Sequence, residues 1–170
     1  MHANALSILN AHGTMCLATV RPDGWPQATT VCYVNDGLEI YFLVSLTSQK
    51  FANISGDDRV SIAIGAPADR PADIKGLSMA ANVSQARDEP YRSQMLKKLS
   101  DRHPNYFDAA TFDFAGSALM RAQSRLISVV DFSKGLGHAY QITIGADQIV
   151  AYTAARPDDW GLGPHGRQST

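Results

Sequence analysis

Two turn signals lie close together near the start of the chain, Arg21-Pro22-Asp23-Gly24 and Asn35-Asp36-Gly37. Each joins runs rich in β-branched and aromatic residues: TMCLATV (14–20), WPQATTVCYV (25–34) and LEIYFLV (38–44). Pro-Asp-Gly and Asn-Asp-Gly place residues with suitable backbone freedom where the chain must reverse. The three runs are therefore predicted to be strands of an antiparallel meander. This excludes a purely helical fold and makes a parallel sheet improbable, because parallel neighbours need long crossovers.

The rest of the chain continues the pattern. Residues 3–10 form a predicted lead helix with Leu6 and Leu9 inward. Residues 48–56 form a second short helix burying Phe51 and Ile54. RVSIAIG (59–65) alternates Val60, Ile62 and Ile64, and LSMAANVSQAR (77–87) alternates Leu77, Met79, Ala81 and Val83. A Pro-rich loop, 66–73, separates them. YRSQMLKKLSDR (91–102) has a helical stripe of Met95, Leu96 and Leu99, with Pro90 at its start and Pro104 beyond its end. GSALMRAQSRLISVV (116–130) is long enough for a strand with a bulge, and AYQITI (139–144) and QIVAYT (148–153) follow the turn at 133–137. The fold class is mainly β: a small antiparallel, Greek-key-like barrel of six or seven strands with a few short helices. Residues 1–153 are one predicted domain, and 154–170 an irregular tail.

Composition narrows function by exclusion. The formal net charge is −1, which offers no electrostatic basis for nucleic-acid or anionic-membrane binding. No apolar run is long enough to span a bilayer, and the N-terminal stretch has no basic segment leading into an apolar one. A cytoplasmic location is the expectation. Cys16 and Cys32 sit in strand-like runs, are not spaced as a metal pair, and are expected to be buried reduced thiols. The five histidines are scattered, so no metal site is expected. No GxGxxG, Walker or GxSxG motif occurs, and most carboxylates fall in turns, where capping is their ordinary use. No catalytic acid, base or nucleophile is assigned, so any hard chemistry belongs to a bound cofactor.

SLTSQKFANIS (45–55) follows the third strand. Ser48 or Thr47 can cap the helix, and the first-turn amides, the helix dipole and Lys50 together favour an anion. An ordinary capped helix with a solvated lysine would read the same way from these residues alone.

The string 17–65 resembles the FMN-binding split-barrel superfamily, the pyridoxamine 5′-phosphate oxidase-like proteins. The likeness rests on ATVRPDGWPQ, the Asn-Asp-Gly turn before a Tyr-Phe strand, Ser48-Gln49-Lys50, Asn53, and Asp58-Arg59-Val60. VVDFSKGLGHAYQI (129–142) resembles a subgroup signature. The resemblance implies a homodimer with FMN between subunits. It implies ring contacts from Gln27, Ala28, Thr29, Thr30 and Val31, and phosphate contacts from Ser45, Thr47, Ser48, Gln49 and Lys50. It also implies that Trp160 of the tail stacks on the flavin or anchors the tail at the dimer interface. His138 is a turn histidine that could face the groove.

The chain also departs from that pattern. Family members commonly carry Ser-Arg-Lys where this chain has Ser48-Gln49-Lys50. Thr29 and Val34 stand where pyridoxamine phosphate oxidases place an arginine and a lysine. Their C-terminal RxH motif has no clean counterpart in WGLGPHGR, with its Trp160, His165 and Arg167. Arg121, Arg125 or Arg167 of a partner subunit are candidates to restore the charge. These departures argue against vitamin B6 phosphate oxidation itself. The expectation is a small flavin-dependent oxidoreductase of unknown substrate. Its alternatives are a non-catalytic flavin carrier, a split barrel using F420 or haem, and a structural dimer.

Overall fold

The computed structural model describes residues 2–108, 112–135, 137–145 and 148–154. Helix α1 (His2–Ala11) leads into the hairpin of β1 (Thr14–Val20) and β2 (Pro26–Cys32), with Gly24 at φ 86° in its turn. Strands β3 (Val34–Asp36) and β4 (Glu39–Ser45) form a second hairpin. Then come α2 (Gln49–Gly56), β5 (Arg59–Gly65), β6 (Lys75–Gln85), α3 (Tyr91–Arg102), β7 (Ser117–Asp131), β8 (Ala139–Gly145) and β9 (Gln148–Ala154). The described residues thus hold nine strands in one antiparallel sheet, more than the six or seven predicted, because one predicted strand is cut in two and the last two both form.

The cut closes the barrel. The sheet runs β2-β1-β5-β6-β7-β4-β3, so consecutive strands β2 and β3 occupy its opposite ends. The predicted second strand, 25–34, breaks at Tyr33 and changes partners there. Tyr33 is fully buried, donates its N–H to the Gly13 carbonyl at 3.0 Å and its hydroxyl to the Leu9 carbonyl at 2.9 Å. His103 Nε2 donates to the Tyr33 carbonyl at 3.0 Å. These bonds replace the ladder at the crossing and fix where the strand changes sides. The meander is corrected accordingly: β4 pairs with β3 and β7, not with β2.

β4 is buried on both faces, which explains its nearly continuous apolar run. Ile40, Phe42 and Val44 enter the barrel core, while Tyr41 joins Met95, Leu99, Phe107 and Leu119 beneath α3. β7 carries the bulge: Leu126 pairs with Ala80 and Ser124 with Ala81, leaving Arg125 extra. Along its other edge β7 pairs with β4 through Ala122 and with β8 from Leu126, so the barrel splits between them. Arg102 of α3 donates to the Leu9 and Asn10 carbonyls at 3.2 and 2.9 Å, and to that of His12, satisfying carbonyls that the end of α1 leaves open. Its guanidinium also lies 5.3 Å from the Tyr33 ring centroid.

The cysteine expectation is corrected. Cys16 is exposed and Cys32 half-buried, both free. In β1 the alternation turns Met15 and Leu17 inward, so Cys16 between them faces out.

Candidate functional site

The start of α2 is built by hydroxyls. Ser48 is the N-cap and accepts from the Phe51 N–H at 3.2 Å. Its own proton goes to the Ser45 carbonyl at 2.7 Å. Ser45 Oγ and Thr47 Oγ1 lie 3.1 Å apart, so one donates to the other. A hydroxyl has a single proton. Of the three hydroxyls, only one proton of the Ser45–Thr47 pair is left for a ligand. Ser45 and Thr47 are exposed, and Ser48 and Lys50 half-buried.

Gln49, expected at the phosphate, is exposed in the first turn of α2 and has one of its two amide protons engaged within the chain. Its Nε2 donates to Asn53 Oδ1 at 2.8 Å. Asn53 is buried, and its Nδ2 donates to Thr19 Oγ1 at 2.9 Å and to Gln27 Oε1 at 3.0 Å. Four side chains therefore tie α2 to β1 and β2. Asn53 occupies a helical position facing those strands, where an unpaired amide would be costly. The resemblance pointed to Asn53 without a role; no local signal in the sequence marks Thr19 as its partner.

Lys50 has no hydrogen bond or ion pair among the described residues. Burial alone pushes its ammonium below the ordinary lysine value. Several arginines are already engaged: Arg21 with Asp23, Arg59 with Asp57, and Arg121 with Glu39. The Lys50 charge, the remaining hydroxyl proton, the second amide proton of Gln49 and the Gln49 and Lys50 backbone N–H groups form a donor set with one formal charge, suited to an anion.

The β2 residues divide by face. Ala28 and Thr30 are exposed, Gln27 and Thr29 half-buried, and Val31 belongs to the core. The Thr29 hydroxyl is buried without a hydrogen-bond partner among the described residues, as is Gln141 Nε2. Val31 can offer only its backbone. His138 is exposed in the turn before β8, with its N–H on the Gly135 carbonyl. Trp160, His165 and Arg167 lie outside the described residues.

A second cluster lies at the split. Glu39 accepts from Arg121 Nε at 2.9 Å, from the Tyr41 hydroxyl at 2.7 Å and from Gln123 Nε2 at 3.5 Å. Burial works to raise its pKa, but these donors outweigh it and hold Glu39 below the ordinary value. A cavity of about 410 Å³ beside it is lined by Leu38, Glu39, Arg121, Arg125 and Ile144, among others. Arg121 is thus committed within its own chain. The turn carboxylates behave as expected: Asp23, Asp57 and Asp131 accept backbone N–H groups of Trp25, Arg59 and Ser133. No cluster of metal-binding side chains occurs among the described residues, and no helix there is long and apolar enough to cross a membrane.

Comparison with known proteins places this geometry. The family profile described as Pyridoxamine 5′-phosphate oxidase matches residues 1–134. Among solved structures, a pyridoxamine 5′-phosphate oxidase-related, FMN-binding protein from Nostoc punctiforme shares 18% identity at a TM-score of 0.68, over 91% of this chain and 94% of that one. A haem-binding protein from Mycobacterium smegmatis shares 21% identity at a TM-score of 0.71 over 82% of this chain. The chain spans 56% of that protein's length. A protein titled F420 reductase shares 27% identity at a TM-score of 0.59, over 71% of this chain and 93% of that one. A search of curated proteins finds no match.

Proposed function

We propose, from the premise that this chain belongs to the pyridoxamine 5′-phosphate oxidase family of split barrels, that it is an oxidoreductase using a phosphate-bearing flavin of the FMN type. The observation that carries the reading is Lys50, a half-buried ammonium with no carboxylate partner among the described residues, at the hydroxyl-rich start of α2. Lys50, the Ser45–Thr47 pair and the α2 amides would hold the phosphate. Thr29 and its neighbours on β2 would meet the body of the cofactor. A bound flavin would supply the chemistry of accepting a hydride from a reduced substrate or nicotinamide. The chain's own residues bind and orient; none is assigned as acid or base. Pyridoxamine phosphate is not the proposed substrate, because Thr29 and Val34 lack the charges that would recognise it.

The deazaflavin F420 is the second reading, favoured by the likeness to the F420 reductase. Haem is a third, from the Mycobacterium smegmatis relative. Its axial ligand would be His138, exposed before β8, or His165, which lies outside the described residues, since His103 is spent on the Tyr33 carbonyl and packs edge-on against Phe107. A homodimer is part of the proposal. Trp25, 71% exposed beside the outward face of β2, is a large apolar side chain suited to cover by a second copy.

Titration of the purified protein with FMN, followed by flavin fluorescence, tests the cofactor. Quenching with a saturable endpoint is expected. Unchanged fluorescence with FMN and with F420 would remove the reading, and a Soret band on haem titration would replace it.

A further inference from the structure

We infer that the cavity at the split of the barrel is a binding site for a small carboxylic acid with an apolar body. The site lies apart from the α2 seat and needs no flavin. Glu39 at its rim and Ser45 at the α2 seat are the two ends of β4, about 20 Å apart for a strand that rises about 3.3 Å per residue.

The backbone makes the opening. Along one edge, β7 leaves β4 after Ala122 and joins β8 only at Leu126, so residues 123–125 face a gap between strands. A bulge lies on each side of the gap. Arg125 is the extra residue of β7. In β9, Ile149 pairs with Ile144 and Ala151 with Thr143, which leaves Val150 extra. Bulges of this kind end a ladder and re-aim a side chain. The cavity of about 410 Å³ occupies this place, with room for about a dozen non-hydrogen atoms at the roughly 30 Å³ that a water takes.

The lining has two characters. Leu38, Ile144 and Ile149 pack on the barrel core and stay half-buried, so they present apolar surface to the cavity. The remaining lining is polar and held in place. Glu39 accepts two bonds from Arg121 and one from Gln123, which fixes that ion pair. Ser124 gives its hydroxyl proton to the Leu38 carbonyl at 3.1 Å. Arg125 is anchored by its Nε on Asn82 Oδ1 at 2.9 Å, and Asn82 donates in turn to the Asp58 carboxylate at 3.2 Å. The anchor engages one of five guanidinium N–H donors and orients the fork that carries the rest. Arg121 and Arg125 stand against Glu39 alone among the carboxyl groups of the described lining. A planar carboxylate matches such a fork by two parallel bonds. Its apolar body would cover Leu38, Ile144 and Ile149, and an apolar surface with a few placed polar groups is the usual construction of a small-molecule site.

Amide NMR of the purified chain, without flavin, tests the site with hydrocinnamate and with hydrocinnamyl alcohol, which keeps the apolar body and lacks the charge. Hydrocinnamate is expected to give saturable shifts at Glu39, at residues 123–125 and at Ile144. It should bind about tenfold more tightly than the alcohol, the size of one charge-assisted contact. Arg125→Gln should weaken hydrocinnamate about tenfold and the alcohol by less than about threefold. Arg125→Met makes the same comparison if the glutamine variant does not fold. Ile149→Trp, which fills the cavity, should weaken both ligands. Shifts that do not saturate or that centre elsewhere, an alcohol bound as tightly as the acid, a ratio unmoved in the folded Arg125 variant, or a folded Ile149→Trp variant that binds both as before would overturn the inference. Failure here leaves the flavin reading standing, and failure of flavin to bind leaves this site standing.

Discussion

Asn53 Nδ2 donates to Thr19 Oγ1 at 2.9 Å, joining the middle of α2 to β1 across 34 positions of sequence. The same nitrogen reaches Gln27 Oε1, and Gln49 donates to the other end of the amide. Asn53→Asp preserves the shape and keeps an acceptor for Gln49, but it cannot donate to Thr19 or Gln27. It is expected to cost about 1–3 kcal/mol, and Asn53→Leu about as much or more, since it also strands Gln49. Urea unfolding at pH 7 measures both. A loss below a few tenths of a kcal/mol would show that the network is not a structural tie.

Lys50, half-buried and without an ion pair among the described residues, is the residue proposed to meet the phosphate. Lys50→Ala is expected to leave stability within about 1 kcal/mol of wild type, because no ion pair is broken. Its effect should fall on ligands. A phosphate-bearing flavin should weaken by about tenfold, and riboflavin, which has no phosphate, should be unchanged. Equal losses for both would show that Lys50 does not meet the phosphate.

Glu39 makes a prediction about acid. Its pKa is depressed in the folded chain from an ordinary 4.5. The stabilisation it contributes is therefore fully present above about pH 4.5 and is lost as pH falls through the folded value. Glu39→Gln is expected to cost about 1–3 kcal/mol at pH 7, where Arg121 loses its carboxylate and the buried Tyr41 hydroxyl its charged acceptor. The gap between wild type and variant should close as pH falls below 4.5. Denaturant midpoints at a series of pH values test this; a gap constant with pH would refute it.

Arg102 holds α1 to the barrel through the carbonyls of Leu9, Asn10 and His12. Arg102→Gln keeps some donors but loses the charge and the fork. Amide exchange in residues 2–11 is expected to accelerate about tenfold or more, while the β6–β7 ladder stays protected. Uniform acceleration would mean that α1 opens only with the whole domain. Tyr33→Phe removes a single buried bond to Leu9 and should cost about 0.5–1.5 kcal/mol.

The elements were legible because their signals are local. The alternation of Val60, Ile62 and Ile64, the Met95–Leu99 stripe and the glycine turns depend on neighbours a few residues away. Element ends shifted by one or two positions, as for β6 at Lys75–Gln85 against an expected 77–87. The bulge in β7 was expected without a position; its placement at Arg125 depends on the register with β6. The outward turn of Cys16 depended on which face of β1 met the core, and period-two alternation alone does not name the face.

The candidate site was legible as an inventory. Ser45, Thr47, Ser48 and Lys50 after an apolar strand announced a helix start that favours anions, and the likeness of 17–65 to a family implied a phosphate there. How those side chains spend their protons was not legible. Ser48 turns to the Ser45 carbonyl, and Gln49 gives one proton to an Asn53 that is itself held by strands which folding brings against α2.

The sequence by itself determined an antiparallel β domain with short helices, since period, turn chemistry and capping act within a few residues. Only the tertiary structure decided that the second predicted strand breaks at Tyr33 to close the barrel. It also decided that Gln49 braces Asn53 against β1 and β2. Each of these outcomes depends on donors and acceptors far apart in sequence, and a polar group acquires its role from the partner that burial leaves it.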